Sequence, residues 1–216
     1  MIFVNFKTYP DASGQKAIEL ARAVCDVSSQ TGIEIISCPQ TIDLKGVVAI
    51  SDHKVWVQHV DLSERGRATG WLPPEIAKEA GAEGTLLNHS EHKLSFQDLS
   101  KTVTRCKNVG LKVLIFADSV NEATSVSSLK PDYIGYEPPE LIASKDTSVS
   151  QAKSEVIKAV VDAVPDTPIL IGAGVKNSED VQVGKKLGAV GVALSSSVVL
   201  AENPKSVLEE LTVGFK

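Results

Sequence analysis

Short apolar, β-branched runs recur along the chain, and each reads as a buried strand: "IFVNF", "IEIISC", "KVWVQ", "GTLLN", "LKVLIF", "YIGY", "PILIGA" and "GVALS". Between them lie segments with apolar residues three and four apart, among them "SGQKAIELARAVCDVSS", "FQDLSKTVTRCKNVG", "SQAKSEVIKAVVDAV" and "SEDVQVGKKLG". That spacing predicts amphipathic helices. Punctuation agrees: Ser13 precedes the first helix, Ser178 stands near the start of the seventh, and Gly32, Gly110 and Gly188 fall just beyond helix ends. Strand and helix alternate with no linker or composition shift, so residues 1–216 are expected to form one domain. Eight such units, with strands apolar on both faces, fit a closed α/β (β/α)8 barrel better than the alternative, an open doubly wound sheet. At 216 residues the barrel is trimmed from the usual ~250. The trimming falls mainly in "ADSVNEATSVSSLKPD", which leaves room for only a short fifth helix.

Composition narrows the function classes. An apolar share of 43% and a net charge of −5 fit a globular protein without a broad basic surface, so nucleic acid is excluded as a partner and any anion must be held in a local pocket. The opening "MIFVNFKTYP" is too short an apolar run for a signal peptide, and no stretch reaches transmembrane length. A cytoplasmic protein with no membrane partner is expected. Cys25, Cys38 and Cys106 are odd in number, lack metal-ligand spacing and stand in apolar contexts, so they are read as buried free thiols.

Chemistry in such a barrel is built at the C-terminal ends of the strands. Those ends carry Asn5 and Lys7 in "NFK", Asn88, His89, Ser90 and Glu91 in "NHSE", Glu137 after "YIGY", then "GAG" and "SSS". Glu137 sits between a buried run and Pro138–Pro139, whose fixed φ gives the carboxylate a stiff exit, as a catalytic base requires. The two small-residue loops can present backbone amides to an anion. Taken singly, Lys7 reads as a surface lysine, His89, like His53, His59 and His92, as a structural histidine, and Gly172 and Gly174 as turn glycines. Their convergence on one rim is what points to a site.

These residues resemble the triosephosphate isomerase family, in its short archaeal-type branch. The resemblance runs through "VNFKTY", "CPQTIDL", "QHVD", "GTLLNHSEHK", "PDYIGYEPPELI", "GAGV" and "GVALSSSVV". It implies a TIM barrel that interconverts dihydroxyacetone phosphate and D-glyceraldehyde 3-phosphate in glycolysis and gluconeogenesis, with no metal or organic cofactor. Glu137 is then the base, His89 the electrophile and Lys7 the charge that stabilises the enediolate. The pairing of a carboxylate base with a neutral histidine is standard for this family. A short helix beginning after His89 is expected to aim its N-terminal dipole at the imidazole and favour its neutral form. Substrate contacts are implied for Asn5, Lys7, Ile142, Ala143, Gly172, Ala173, Gly174, Ser195 and Ser196. Glu91, Ser90 and Thr69 take supporting roles, Glu91 by orienting Lys7. "GRATGW" resembles the family's protruding dimer loop, with Thr69 reaching a neighbouring site; a homo-oligomer is expected, a tetramer ahead of a dimer.

The chain departs from the family after "ELI", where "ASKDTS" replaces a glycine-flanked lid end, and at Ser197, where glycine is common. A lid hinged at Pro138 and Pro139 is still expected to close over the phosphate, more slowly than with glycines at Ala143 and Lys145. The competing readings are another phosphate-binding barrel enzyme, a lyase or synthase, and a barrel that binds a phosphometabolite without turnover.

Overall fold

The computed structural model describes residues 1–139 and 154–216. Eight parallel strands form one sheet: β1 (Ile2–Asn5), β2 (Ile35–Cys38), β3 (Trp56–Val57), β4 (Gly84–Leu87), β5 (Lys112–Ala117), β6 (Tyr133–Tyr136), β7 (Ile169–Ile171) and β8 (Gly191–Leu194). Their order is β2-β1-β8-β7-β6-β5-β4-β3, and a single parallel bridge between Ser37 and Val55 joins the two ends. The result is a (β/α)8 barrel whose thinnest seam lies between β2 and the two-residue β3.

The helices are α1 (Gln15–Thr31), α2 (Leu44–Ile50), α3 (Pro74–Glu79), α4 (Phe96–Asn108), α5 (Val120–Ser127), α6 (Ser154–Ala163), α7 (Ser178–Lys186), α8 (Ser196–Val199) and α9 (Pro204–Val213). Helix α5 is short, as the trimmed sequence requires. Helix α1 stops at Gly32, whose φ of 71° suits glycine and whose N–H donates to the Ser28 carbonyl. Ser13 is not its cap: the Ser13 hydroxyl donates to the Tyr9 carbonyl, while Gly14 holds the cap position. Ser178 is the first residue of α7, and Asn177 before it caps the helix in a reciprocal box with Asp180. Among the described residues no helix is long and apolar enough to cross a membrane.

Two apolar layers follow from the pleat. One lies between sheet and helices; the other fills the barrel, with Phe3, Ile36, Trp56, Leu86, Leu114, Phe116, Leu170 and Ala193 buried together. Because side chains alternate along a strand, one inward row runs from the barrel floor to its C-terminal rim. On β6 that row is Tyr133, Gly135 and then Glu137. On β1 it is Phe3 and Asn5, in register with Ile36 and Cys38 of β2. Glycines give the aromatic rings their room, since a Cβ at Gly84 would strike the Trp56 indole and one at Gly135 the Phe116 ring.

Candidate active site at the strand ends

At the end of β1 the buried Asn5 Oδ1 accepts the Lys7 N–H at 3.0 Å. Lys7 adopts φ 48°, a left-handed conformation uncommon for a residue with a side chain. Gln58 holds it there, its Nε2 donating to the Lys7 and Cys38 carbonyls, each at 3.0 Å. The ammonium is thereby turned across the rim, where Lys7 Nζ meets Glu91 Oε1 at 2.7 Å.

The turn after β4 is clamped in the same manner. Asn88 has φ 58°, and its side chain donates to the Phe116 carbonyl at 2.9 Å and to Glu122 Oε1 at 2.8 Å, while its Oδ1 accepts the Leu94 N–H at 3.0 Å. His89 follows, its ring edge-on to Phe116 with centroids 4.9 Å apart. No helix begins after His89; residues 90–92 form a turn. The Glu91 backbone N–H instead donates directly to His89 Nδ1 at 3.1 Å. One aimed amide replaces the expected dipole and has the same sign of effect, because a ring nitrogen that accepts a hydrogen bond cannot carry a proton. The remaining proton of the neutral ring belongs on Nε2. Burial, followed by the Lys7 charge, lowers the His89 pKa to about 4.

Glu137 stands opposite. Its own N–H donates to the Ala117 carbonyl at 2.8 Å, extending the ladder past β6. The side chain is 10% exposed. A Cβ at Gly172 would collide with its carboxylate stem. Oε1 lies 3.6 Å from His89 Nε2, and Ser90 Oγ donates to Oε2 at 3.4 Å. Burial raises the Glu137 pKa to about 7, against the opposing pull of Lys7 and the Ser90 bond. Acid and imidazole are therefore pushed in opposite directions, so that near neutral pH a carboxyl able to take up a proton stands beside an uncharged imidazole.

Asn5, Lys7, His89, Ser90, Glu137, Gly172, Ala173, Gly174, Ser195 and Ser196 all line one cavity of about 420 Å³. Gly172 does not offer its amide to a ligand, because that N–H already donates to the Tyr136 carbonyl at 2.9 Å. Its contribution is the space that Glu137 occupies. Ala173 and Gly174 are the amides beyond it. Past the neighbouring strand β8, α8 starts at Ser196, whose N–H and that of Ser197 precede the first helical hydrogen bond. The Ser195 hydroxyl is shut off from solvent and has no hydrogen-bond partner among the described residues. A ligand oxygen in this cavity would satisfy it.

Of the supporting residues, Glu91 pairs its carboxylate with Lys7 and gives its backbone N–H to His89 Nδ1, while Thr69 is exposed and outside the cavity. Ile142, Ala143 and Lys145 lie outside the described residues. Gln58 opens the "QHVD" motif and Asn88 the "NHSE" motif, but neither carries an expected role there, and Lys176, which lines the cavity, directly follows "GAGV". The remaining histidines stay apart from the cavity: His59 and His92 stack at 3.9 Å, and His53 contacts Cys25. Cys38 and Cys106 are buried free thiols, but Cys25 is only half-buried, and the His53 imidazole faces its sulfur.

The family model described as triosephosphate isomerase matches residues 1–211. The chain is 41% identical to the triosephosphate isomerase of Methanopyrus kandleri, covering 100% of this chain and 97% of that protein. It is 39% identical to that of Methanocaldococcus jannaschii, with 98% of both chains covered. The triosephosphate isomerase of Methanothermus fervidus is 40% identical, over 98% of this chain and 96% of that one.

Proposed function

The chain belongs to the triosephosphate isomerase family and interconverts dihydroxyacetone phosphate and D-glyceraldehyde 3-phosphate; from that premise we propose that Glu137, His89 and Lys7 carry the reaction. The Glu137 carboxylate takes the proton from the carbon beside the carbonyl. The C–H electron pair becomes the C=C bond of an enediolate, and the carbonyl π pair moves onto oxygen. Neutral His89 donates its Nε2 proton to that oxygen and takes back the proton of the neighbouring hydroxyl, whose oxygen becomes the new carbonyl. Glu137 then returns its proton to the adjacent carbon, so the reaction closes without a net change in the protein. Lys7 supplies positive charge where negative charge develops, in a cavity where partial exclusion of water strengthens the effect.

The phosphate rests on the Ala173, Gly174, Ser196 and Ser197 amides and on the Ser195 hydroxyl, with Asn5 and Gln58 fixing Lys7 against it. The whole chain, 1–216, serves as one catalytic domain. The observation that carries this assignment is the meeting of a buried Glu137 with pKa about 7 and a His89 with pKa about 4 at 3.6 Å. Lys7→Ala tests it in an assay coupled to glyceraldehyde 3-phosphate: turnover and affinity for 2-phosphoglycolate should fall together. Unchanged 2-phosphoglycolate affinity would remove Lys7 from the site.

The same reading extends to assembly. Loop 61–72 projects Trp71, 57% exposed, beside Leu62 and Ala68, and Ile76 is 41% exposed on α3. A second copy of the chain over this surface, in a tetramer, buries that apolar area and brings Thr69 to the neighbouring rim. Sedimentation of a fully active monomer in dilute solution would contradict it. Three unpaired thiols suit a reducing, cytoplasmic compartment.

A further inference from the structure

The thinnest part of the barrel wall is the seam where only the Ser37–Val55 bridge joins β2 to β3. Just outside it, three metal-ligating side chains from two separated segments converge. Cys25 comes from α1, and Asp52 and His53 come from the connection between α2 and β3. Their donor atoms all lie within 4.8 Å of one another. Cys25 Sγ is 2.7 Å from His53 Nδ1, and the opposite ring nitrogen, Nε2, is 3.2 Å from the hydroxyl of fully buried Ser37.

We propose that Cys25, Asp52 and His53 form a binding site for a divalent cation of the zinc class, which staples α1 to the β2–β3 seam. The donor set suits this ion: a soft sulfur, an imidazole nitrogen and a carboxylate oxygen are all accepted by zinc. The second nitrogen of the imidazole lies 3.2 Å from the Ser37 hydroxyl, which holds the ring with Nδ1 toward the sulfur; with the metal on Nδ1 the ring proton is on Nε2 and can be donated to that hydroxyl, the arrangement commonly found behind metal-bound histidines. On binding, the Cys25 thiol releases its proton to solvent and the sulfur lone pair forms the metal bond. The thiolate and carboxylate charges then balance the dication, and water completes a tetrahedron. Tetrahedral ligands stand roughly 3.5 Å apart, so the ion spreads the sulfur–nitrogen pair by somewhat under 1 Å. The exposed Asp52 gives the ion its route in, and the connection it sits on precedes β3 and can yield that distance.

The arrangement does not suit a cysteine nucleophile. In that chemistry a carboxylate orients the far side of the histidine, whereas here Ser37 stands there and Asp52 lies on the sulfur side. The site is also at the N-terminal approach to β3, away from the strand ends that carry Lys7, His89 and Glu137, so catalysis and metal binding are separable.

Cobalt(II) is the direct probe, titrated into full-length protein previously stripped with a chelator and kept reduced. Saturable uptake of one equivalent with a thiolate-to-cobalt charge-transfer band is expected. Zinc should displace the cobalt and raise the melting temperature until one equivalent is bound. Cys25→Ser should abolish the band and weaken zinc binding at least about a hundredfold. Ser37→Ala, which removes only the bond orienting the ring, should weaken it roughly tenfold. Asp52→Asn, a change on the exposed surface, should weaken binding with the fold intact by circular dichroism. Isomerase activity of all three variants should match the parent. Absence of saturable uptake at millimolar cobalt overturns the proposal. So does binding without the thiolate band, or zinc affinity unchanged in both Cys25→Ser and Asp52→Asn.

Discussion

The floor and the rim of the barrel are built from the same strands, even from the same inward-facing row, and they are held by opposite means. On the floor Phe3, Trp56 and Tyr133 meet edge to face, with Phe3 and Trp56 centroids 5.0 Å apart and Phe3 and Tyr133 5.8 Å apart. Four residues further along β6 from Tyr133 the row ends in Glu137, a buried acid. Floor side chains are fixed by volume, so the barrel closes wherever large rings meet glycines. Rim side chains are fixed by direction: Lys7 and Asn88 accept left-handed backbone, and polar clamps hold them in it. The floor invests burial in stability, while the rim turns the same burial into shifted proton affinities. Function here is the desolvation that the floor makes possible, applied to groups that resist it.

Substitutions at the two ends should therefore fail in different ways. The largest effect is expected for Glu137→Gln, which keeps the shape and removes the proposed base: turnover should fall by about 10²–10⁴-fold, toward the upper end for a carbon acid. Stability should move the other way. A folded pKa of about 7 against an ordinary 4.5 means that Glu137 is tolerated when neutral, so its contribution is present below pH 4.5 and lost as pH rises through 7. Thermal melts should show Glu137→Gln more stable than the parent at pH 8 and no more stable at pH 4. Equal melting at both would dissolve the contrast between floor and rim.

Trp56→Ala, at the floor, should cost about 3–5 kcal/mol in denaturant unfolding, while turnover per folded molecule stays within a few-fold of the parent. A large loss of turnover in protein shown to be folded would mean that floor and rim are not separable. Ser90→Ala comes next. It removes the hydroxyl that donates to Glu137 Oε2 and helps its ionised form, so the acid limb of kcat/KM should shift to higher pH. The smallest effect belongs to Glu91→Gln. Its pair with Lys7 is largely exposed on the glutamate side, and such pairs are worth about 0–1 kcal/mol. The Glu91 backbone N–H to His89 survives this change, so the imidazole should stay neutral and only KM should rise, by a few-fold.

The floor and the strand order were legible in the apolar runs, since eight buried segments alternating with amphipathic ones leave few architectures. The convergence of Glu137, His89 and Lys7 on one cavity was legible for a different reason, since each stands just past the end of a strand; the roles proposed for them rest on the geometry and the resemblance. Gln58 stands in the "QHVD" motif, but its role was not legible, because it depends on two carbonyls brought together by the pairing of β1 with β2, which no local pattern encodes. A helix is expected directly after His89 from the sequence, but the chain makes a turn there and the next helix starts only at Phe96; the Glu91 N–H to Nδ1 bond nevertheless has the electrostatic sign expected of the dipole. Gly172 looked like a phosphate amide, but its N–H belongs to the ladder. Cys25 looked like an ordinary core thiol because His53, the residue that changes its meaning, is brought to it only by the fold.

The claim on which the rest depends is that burial makes Glu137 a base near neutral pH. Labelling glutamate side chains with ¹³C and following the carboxyl resonance that disappears in Glu137→Gln gives its titration directly, free of substrate and of any rate-limiting step. The midpoint should fall at about 7, and Lys7→Ala should move it higher, because the ammonium opposes the effect of burial. A midpoint near 4.5, the ordinary glutamate value, would contradict the account.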